Sequence, residues 1–118
     1  MQIEIQEVND VAILRIDGDI TLGKGADVML KDKVYSLLQD GHRKLLLDLG
    51  QVSYVDSAGL GQLVSVHATT ARQGATLKLL NVAKKLRDLL VVTRLLVVFD
   101  TYENEAEALA SFGKPATV

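Results

Sequence analysis

The stretch Asp56-Ser57-Ala58-Gly59-Leu60-Gly61 sets a serine hydroxyl between a carboxylate and two glycines, where an apolar run gives way to a helical pattern. A serine placed there can attack a substrate, accept a group from another protein, or cap the helix. Attack requires a base within hydrogen-bond reach of the hydroxyl. His67 lies on the same helical pattern, roughly 15 Å farther along its axis, so a Ser-His-Asp arrangement is poorly supported. Asp48 and Asp56 could be imagined as a carboxylate pair for metal or acid–base work, but Asp48 falls within a strand pattern and no histidine or cysteine cluster accompanies it. Gly23-x-Gly25 lacks the flanking residues of a phosphate-binding loop. No catalytic residue, metal ligand or cofactor is assigned.

Capping is the plainest role for this serine, since serine and aspartate oxygens both satisfy the first free N–H groups of a helix. It does not account for the glycines. Gly59 and Gly61 each cost a helix about 1 kcal/mol relative to alanine, so two of them in the first turns imply close approach, by neighbouring backbone or by a partner. Gly61 stacks one turn beyond Ser57 and leaves the space beside the hydroxyl open.

The elements that must hold this segment follow from periodicity. Leu45-Leu46-Leu47-Asp48-Leu49 reads as a strand buried on both faces, with 50 to 56 as its exit loop. The helix from 57 to 73 places Leu60, Leu63, Val64, His67 and Ala71 on one arc and Gln62, Ser65, Thr69 and Arg72 opposite, with Gly74 as its stop. His67 is expected to be packed, and His42 to lie in a surface loop. Ile3 and Ile5 alternate with polar residues, and Val11 to Ile16 follows Asn9-Asp10, which predicts an antiparallel hairpin. A helix is predicted from about Gly25 to Gln39, carried by Ala26, Met29, Leu30, Val34, Leu37 and Leu38 and ended by Gly41.

Thr76 to Leu80 predicts a short strand, and Asn81 a cap for a helix through Ala83, Leu86, Leu89 and Leu90. Leu95 to Phe99 predicts the last strand, and Thr101 or Asn104 the cap of a terminal helix ending near Gly113. The charges Lys84, Lys85, Arg87 and Asp88 read as a solvated helix face. Together these elements predict an α/β single domain, with a mostly parallel central sheet, an N-terminal β-hairpin whose first strand lies on an edge, and about four helices. The domain is expected over 1–112, with 113–118 as a C-terminal tail.

Composition narrows the function classes. The 118 residues are 48% hydrophobic and suit one core. The formal net charge is −2, and the 13 Lys and Arg are scattered, which argues against nucleic acid. There is no cysteine, so disulfides and thiol chemistry are excluded. The first residues lack a signal-peptide pattern, and the tract Leu89 to Phe99 is far shorter than the roughly 20 residues that cross a bilayer. A soluble, cytoplasmic protein without membrane insertion is expected.

The segment Leu46 to Gly61, with its Asp-Ser-x-Gly-Leu-Gly core, resembles the signature of the STAS domain, in particular of the bacterial anti-sigma factor antagonists. The resemblance extends from the hairpin and Gly18-Asp19-Ile20 through Leu79-Leu80-Asn81 and Leu86-Arg87-Asp88-Leu89-Leu90 to the terminal helix. It implies a binding protein rather than an enzyme. The serine matching Ser57 is, in that family, phosphorylated by an anti-sigma factor that is also an ATP-dependent serine kinase, and a PP2C-type phosphatase removes the phosphate. The unphosphorylated form sequesters the anti-sigma factor and frees a sigma factor.

By the same resemblance, Asp19, Thr21, Asp56, Ser57, Ala58, Gly59, Leu60 and Gly61 form the partner-binding set. Thr21 stands where the family often has aspartate, and Arg94 where it more usually shows glycine. The alternative is a STAS scaffold or ligand-binding module without phosphoswitching, part of a stressosome-like or lipid-transport complex, in which Ser57 would serve only as a cap.

Overall fold

The computed structural model describes residues 2–21 and 26–113. Strands β1 (Gln2–Val8) and β2 (Val11–Asp17) pair antiparallel across Asn9 and Asp10, whose φ angles are 50° and 74°. Two successive left-handed residues are what a tight hairpin turn requires, and Asn and Asp tolerate that conformation well. The predicted start of the first helix at Gly25 lies outside the described residues, and α1 is described over Ala26–Gln39. Then follow β3 (Lys44–Gln51), α2 (Ser57–Arg72), β4 (Thr76–Leu80), α3 (Lys84–Val92), β5 (Thr101–Tyr102) and α4 (Glu105–Gly113). Gly41 and Gly74, at φ 93° and 75°, close α1 and α2 in the left-handed conformation that favours glycine.

The five strands lie in the order β1-β2-β3-β4-β5, parallel except at β1, which is the expected edge strand. Side chains alternate across this sheet, so its two faces carry separate cores. Leu14, Leu45, Leu47 and Leu79 point to the face covered by α1, α2 and α3, whereas Val11, Ile13, Leu46 and Leu80 meet Ala108 and Phe112 of α4. Lys78, 9% exposed, lies under α4, donates to Ser111 Oγ at 2.8 Å and places its ammonium 4.7 Å from the centre of the Phe112 ring. Its stem is covered while its charge finds an oxygen and a π face. Among the described residues, no helix is long and apolar enough to cross a membrane.

Two expectations for the C-terminal half are corrected, and the choice of cap for the terminal helix falls to Asn104. Leu95 to Phe99 is not a strand: the amides of Leu95 and Leu96 turn back to the Leu90 carbonyl, and the pairing strand is Thr101–Tyr102. That turn buries Phe99 and leaves Val97 91% exposed. Asn81 does not cap α3; at φ 59° it sends its side chain to Asp48, and the N-cap is Ala83, which offers no side-chain bond. Thr101 lies in β5, and Asn104 Oδ1 accepts from the Glu107 amide at the start of α4.

The buried side of α2 is also turned from the expected arc, since Val66, Thr69 and Thr70 are buried whereas Ala71 is exposed. Thr70 tolerates burial because its hydroxyl donates to the Val66 carbonyl at 2.7 Å. Arg94 sits just past the end of α3 at φ 61°, where glycine would be free of strain.

A strand over 95–99 would put Val97 and Phe99 on the same face. The turn separates them, so Phe99→Ala should cost about 3–5 kcal/mol in urea unfolding, while Val97→Ser should stay within about 0.5 kcal/mol of wild type. Similar losses from both substitutions would contradict the turn.

Candidate functional site

The site is assembled where the chain leaves β2 and β3. Gly18, at φ 111°, turns the chain out of β2 and donates its amide to the Gln51 carbonyl. Ile20 then forms an isolated parallel bridge with Val55. Its amide donates to the Tyr54 carbonyl at 3.0 Å, and its carbonyl accepts from the Asp56 amide at 3.3 Å. Two exit loops are thereby joined through backbone, which places Asp19 and Thr21 beside the start of α2.

Asp56 is the N-cap: with φ −86° and ψ 179° it is extended, and its Oδ1 accepts from the Gly59 amide at 2.7 Å. Ser57 is therefore the first residue of the helix and is not its cap. The hydroxyl is exposed and has no hydrogen-bond partner among the described residues. A charged carboxylate does the capping that a serine would otherwise do.

The two glycines separate into different roles. A Cβ on Gly59 would overlap the Ile20 carbonyl oxygen and lie 2.8 Å from the carbonyl carbon, so this glycine is imposed by the joined loops. A Cβ on Gly61 would meet nothing within 4 Å, and the residue is exposed. Of the predicted partner-binding set, Asp19, Ser57 and Gly61 lie on the surface, Thr21, Asp56 and Ala58 are half-buried, and Gly59 and Leu60 are buried. Leu60 packs in the core under α1–α3, so its side chain anchors the helix end from below. Loop residues 22 to 25 lie outside the described residues.

Asp48 and Asp56 do not act as a pair. Asp48 Oδ2 accepts from Arg15 Nη1 at 2.8 Å, while its Oδ1 accepts from the Gly50 amide at 3.0 Å and from Asn81 Nδ2 at 3.3 Å. Arg15 also reaches Glu105 at 2.9 Å and Gln6 at 2.8 Å. The Glu105 hydrogen bond, reinforced by Asp48 and opposed by partial burial, raises the Arg15 pKa. His67 packs edge-on against Phe99 with ring centres 5.0 Å apart, and His42 bonds the Leu37 carbonyl and Glu7.

Sequence reasoning passed over Arg15 and Lys78. The available signal was strand parity, since Arg15, Asp48 and Lys78 share a sheet face with Ile13, Leu46 and Leu80.

An α/β sheet of this order, with joined exit loops and a serine at the first turn of α2, defines a class. The STAS domain model matches residues 2–108, and the chain belongs to that family. Its resemblance runs to anti-sigma factor antagonists: it is 34% identical over 95 residues to the anti-sigma-B factor antagonist of Bacillus subtilis strain 168, covering 80% of this chain and 84% of the relative. A Thermotoga maritima protein described as a candidate anti-sigma factor antagonist shares the fold with a TM-score of 0.86 at 24% identity, covering 95% of each chain. The Bacillus cell fate determinant SpoIIAA in its phosphorylated form shares it with a TM-score of 0.72 at 17% identity, over 94% of this chain and 99% of that one.

The glycines can be told apart by unfolding. Gly59→Ala should lose about 1–3 kcal/mol or fail to fold, because backbone and not a flexible side chain meets the new methyl. Gly61→Ala should gain up to about 1 kcal/mol from helix propensity alone. Equal effects in urea titration would refute the assignment.

Proposed function

We propose that this chain is an anti-sigma factor antagonist whose binding is switched by phosphorylation of Ser57. In the unphosphorylated form it sequesters an anti-sigma factor that is also a serine kinase, and so frees a sigma factor. A PP2C-type phosphatase restores that form. The chain is a cytoplasmic binding protein and not an enzyme, with the domain spanning 1–112.

The observation that carries this reading is the division of labour at the start of α2: Asp56 caps the helix, and the Ser57 hydroxyl stands exposed with no bond among the described residues. A kinase can reach such a hydroxyl without unfolding anything. The similarity to SpoIIAA, known in a phosphorylated and an unphosphorylated form, supports the same reading.

The effect of the phosphate follows from charge. It adds roughly −1.5 to −2 and three acceptor oxygens at the positive end of a helix, where the fold can hold it. Asp56 already supplies a carboxylate there, so the modified surface concentrates negative charge where the unmodified one offers a neutral hydroxyl and the open space beside Gly61. A partner fitted to the neutral form loses both contact and electrostatic match.

With the cognate kinase and ATP, intact-protein mass spectrometry should show one added phosphate on wild type and none on Ser57→Ala. Ser57→Asp should lose binding to that kinase by at least about a hundredfold, in proportion to about 3 kcal/mol of interface energy. Tight binding by Ser57→Asp would refute the switch. Signalling left intact by Ser57→Ala would favour the scaffold reading.

A further inference from the structure

Beside the Ser57 helix end, the β3–α2 loop and α3 enclose a groove of about 200 Å³ lined chiefly by Val52, Tyr54, Val55, Lys85, Leu86 and Leu89. Its floor is apolar. Val52 and Leu86 are buried, and Val55 and Leu89 are half-buried against the core. Its rim carries different chemistry: Tyr54 is 56% exposed, and Lys85 is exposed with no ion-pair partner among the described residues. The other charges of α3 are paired, Lys84 with Asp88 at 3.0 Å and Arg87 with Glu103 at 3.9 Å.

Size restricts what can enter. Sites for small molecules run to about 300–1,000 Å³, so this groove suits one or two side chains and not a cofactor. Charge restricts what can flank it. The unpaired ammonium of Lys85 stands on the first turn of α3, whose N-cap Ala83 adds no acidic or accepting side chain, so the rim is positive.

The geometry points to this groove as a docking site for a protein partner's segment in which a large apolar side chain is flanked by acidic residues. This rests on the reading of the chain as a partner-binding switch and deepens it: the Ser57 helix end reports phosphorylation, and the groove selects the partner. Tyr54 and Val55 run directly into Asp56 and Ser57, so an acidic segment seated in the groove lies close to any phosphate on Ser57. The same negative charge that attracts the segment to Lys85 then makes phosphorylation repel it.

The test is an NMR titration of the isotope-labelled full chain with two blocked pentapeptides, Glu-Asp-Leu-Asp-Glu and Lys-Lys-Leu-Lys-Lys. The acidic peptide should shift the amides of Tyr54, Lys85 and Leu86 in a saturable way and bind at least about tenfold more tightly than the basic one. Lys85→Glu, a surface change that leaves the fold intact, should abolish or reverse that preference, and Tyr54→Ala should weaken it. Equal responses to both peptides, shifts confined to other surfaces, or no shift with either peptide would overturn the proposal. The peptide titration needs no kinase, so an intact groove response in wild type together with no phosphate transfer to wild type from the cognate kinase and ATP would count against the switch and not against the groove.

Discussion

The contact between the first turn of α2 and the backbone of Ile20 constrains everything around the site. Gly59 has to be glycine because the Ile20 carbonyl occupies the place of its Cβ, and Ile20 is held there by backbone bonds to Tyr54 and Asp56. Each partner in this arrangement limits the others. The loop leaving β2 cannot move without breaking its bridge to Val55, and the helix cannot roll without driving Gly59 into Ile20. The roll set by this contact also explains the buried arc of α2, in which Gly59, Leu63, Val66 and Thr70 follow helical spacing down the side facing the core.

A second tie acts on the opposite face of the sheet. Asp48 gathers the exit of β3 through the Gly50 amide, the exit of β4 through Asn81, and the neighbouring strand through Arg15, which in turn holds Glu105 at the start of α4. These groups are partly exposed, so each pair contributes little stability by itself. Their effect is geometric. Because β3 leads to Ser57 and β4 leads to Lys85, a clasp between the two exits constrains the distance between Ser57 and the groove rim.

How far the sequence could be read depended on how much of each segment was repeated signal. The leucine run of β3, the Asn9-Asp10 hairpin and the glycine stops of α1 and α2 each combine periodicity with turn chemistry, and they were legible. The last strand was not, because its two residues leave no alternation to detect while Leu95 to Phe99 mimics one. Asn81 misled for a related reason: its side chain suits a cap, yet a tertiary carboxylate from β3 outcompeted the local amides. At the site, composition identified the segment and the cost of its glycines but could not divide them, since whether a glycine yields to backbone or to open space depends on what folds against it. The meeting of Tyr54 and Lys85 on one rim likewise exists only once the β3–α2 loop lies beside α3.

Rigidity at this position bears on how a phosphoswitch would act. A loop that reordered on phosphorylation would require the modification to offset conformational entropy at about 1–2 kcal/mol per residue. Here the helix is already capped by Asp56 and seated on Ile20, so a phosphoswitch at Ser57 would have no local ordering to drive. On the proposed reading a partner would meet a preorganised surface, and this chain would lose little freedom on binding, which favours affinity in the neutral state. The same stiffness prevents the surface from relaxing away from an added charge. The bond from the Gly59 amide holds Asp56 toward the helix start, so on the proposed reading a phosphate on Ser57 would stand beside that carboxylate and add to the mismatch with the partner. On that reading one carboxylate would serve both states: Asp56 frees Ser57 from capping in the first and would sharpen the repulsion in the second.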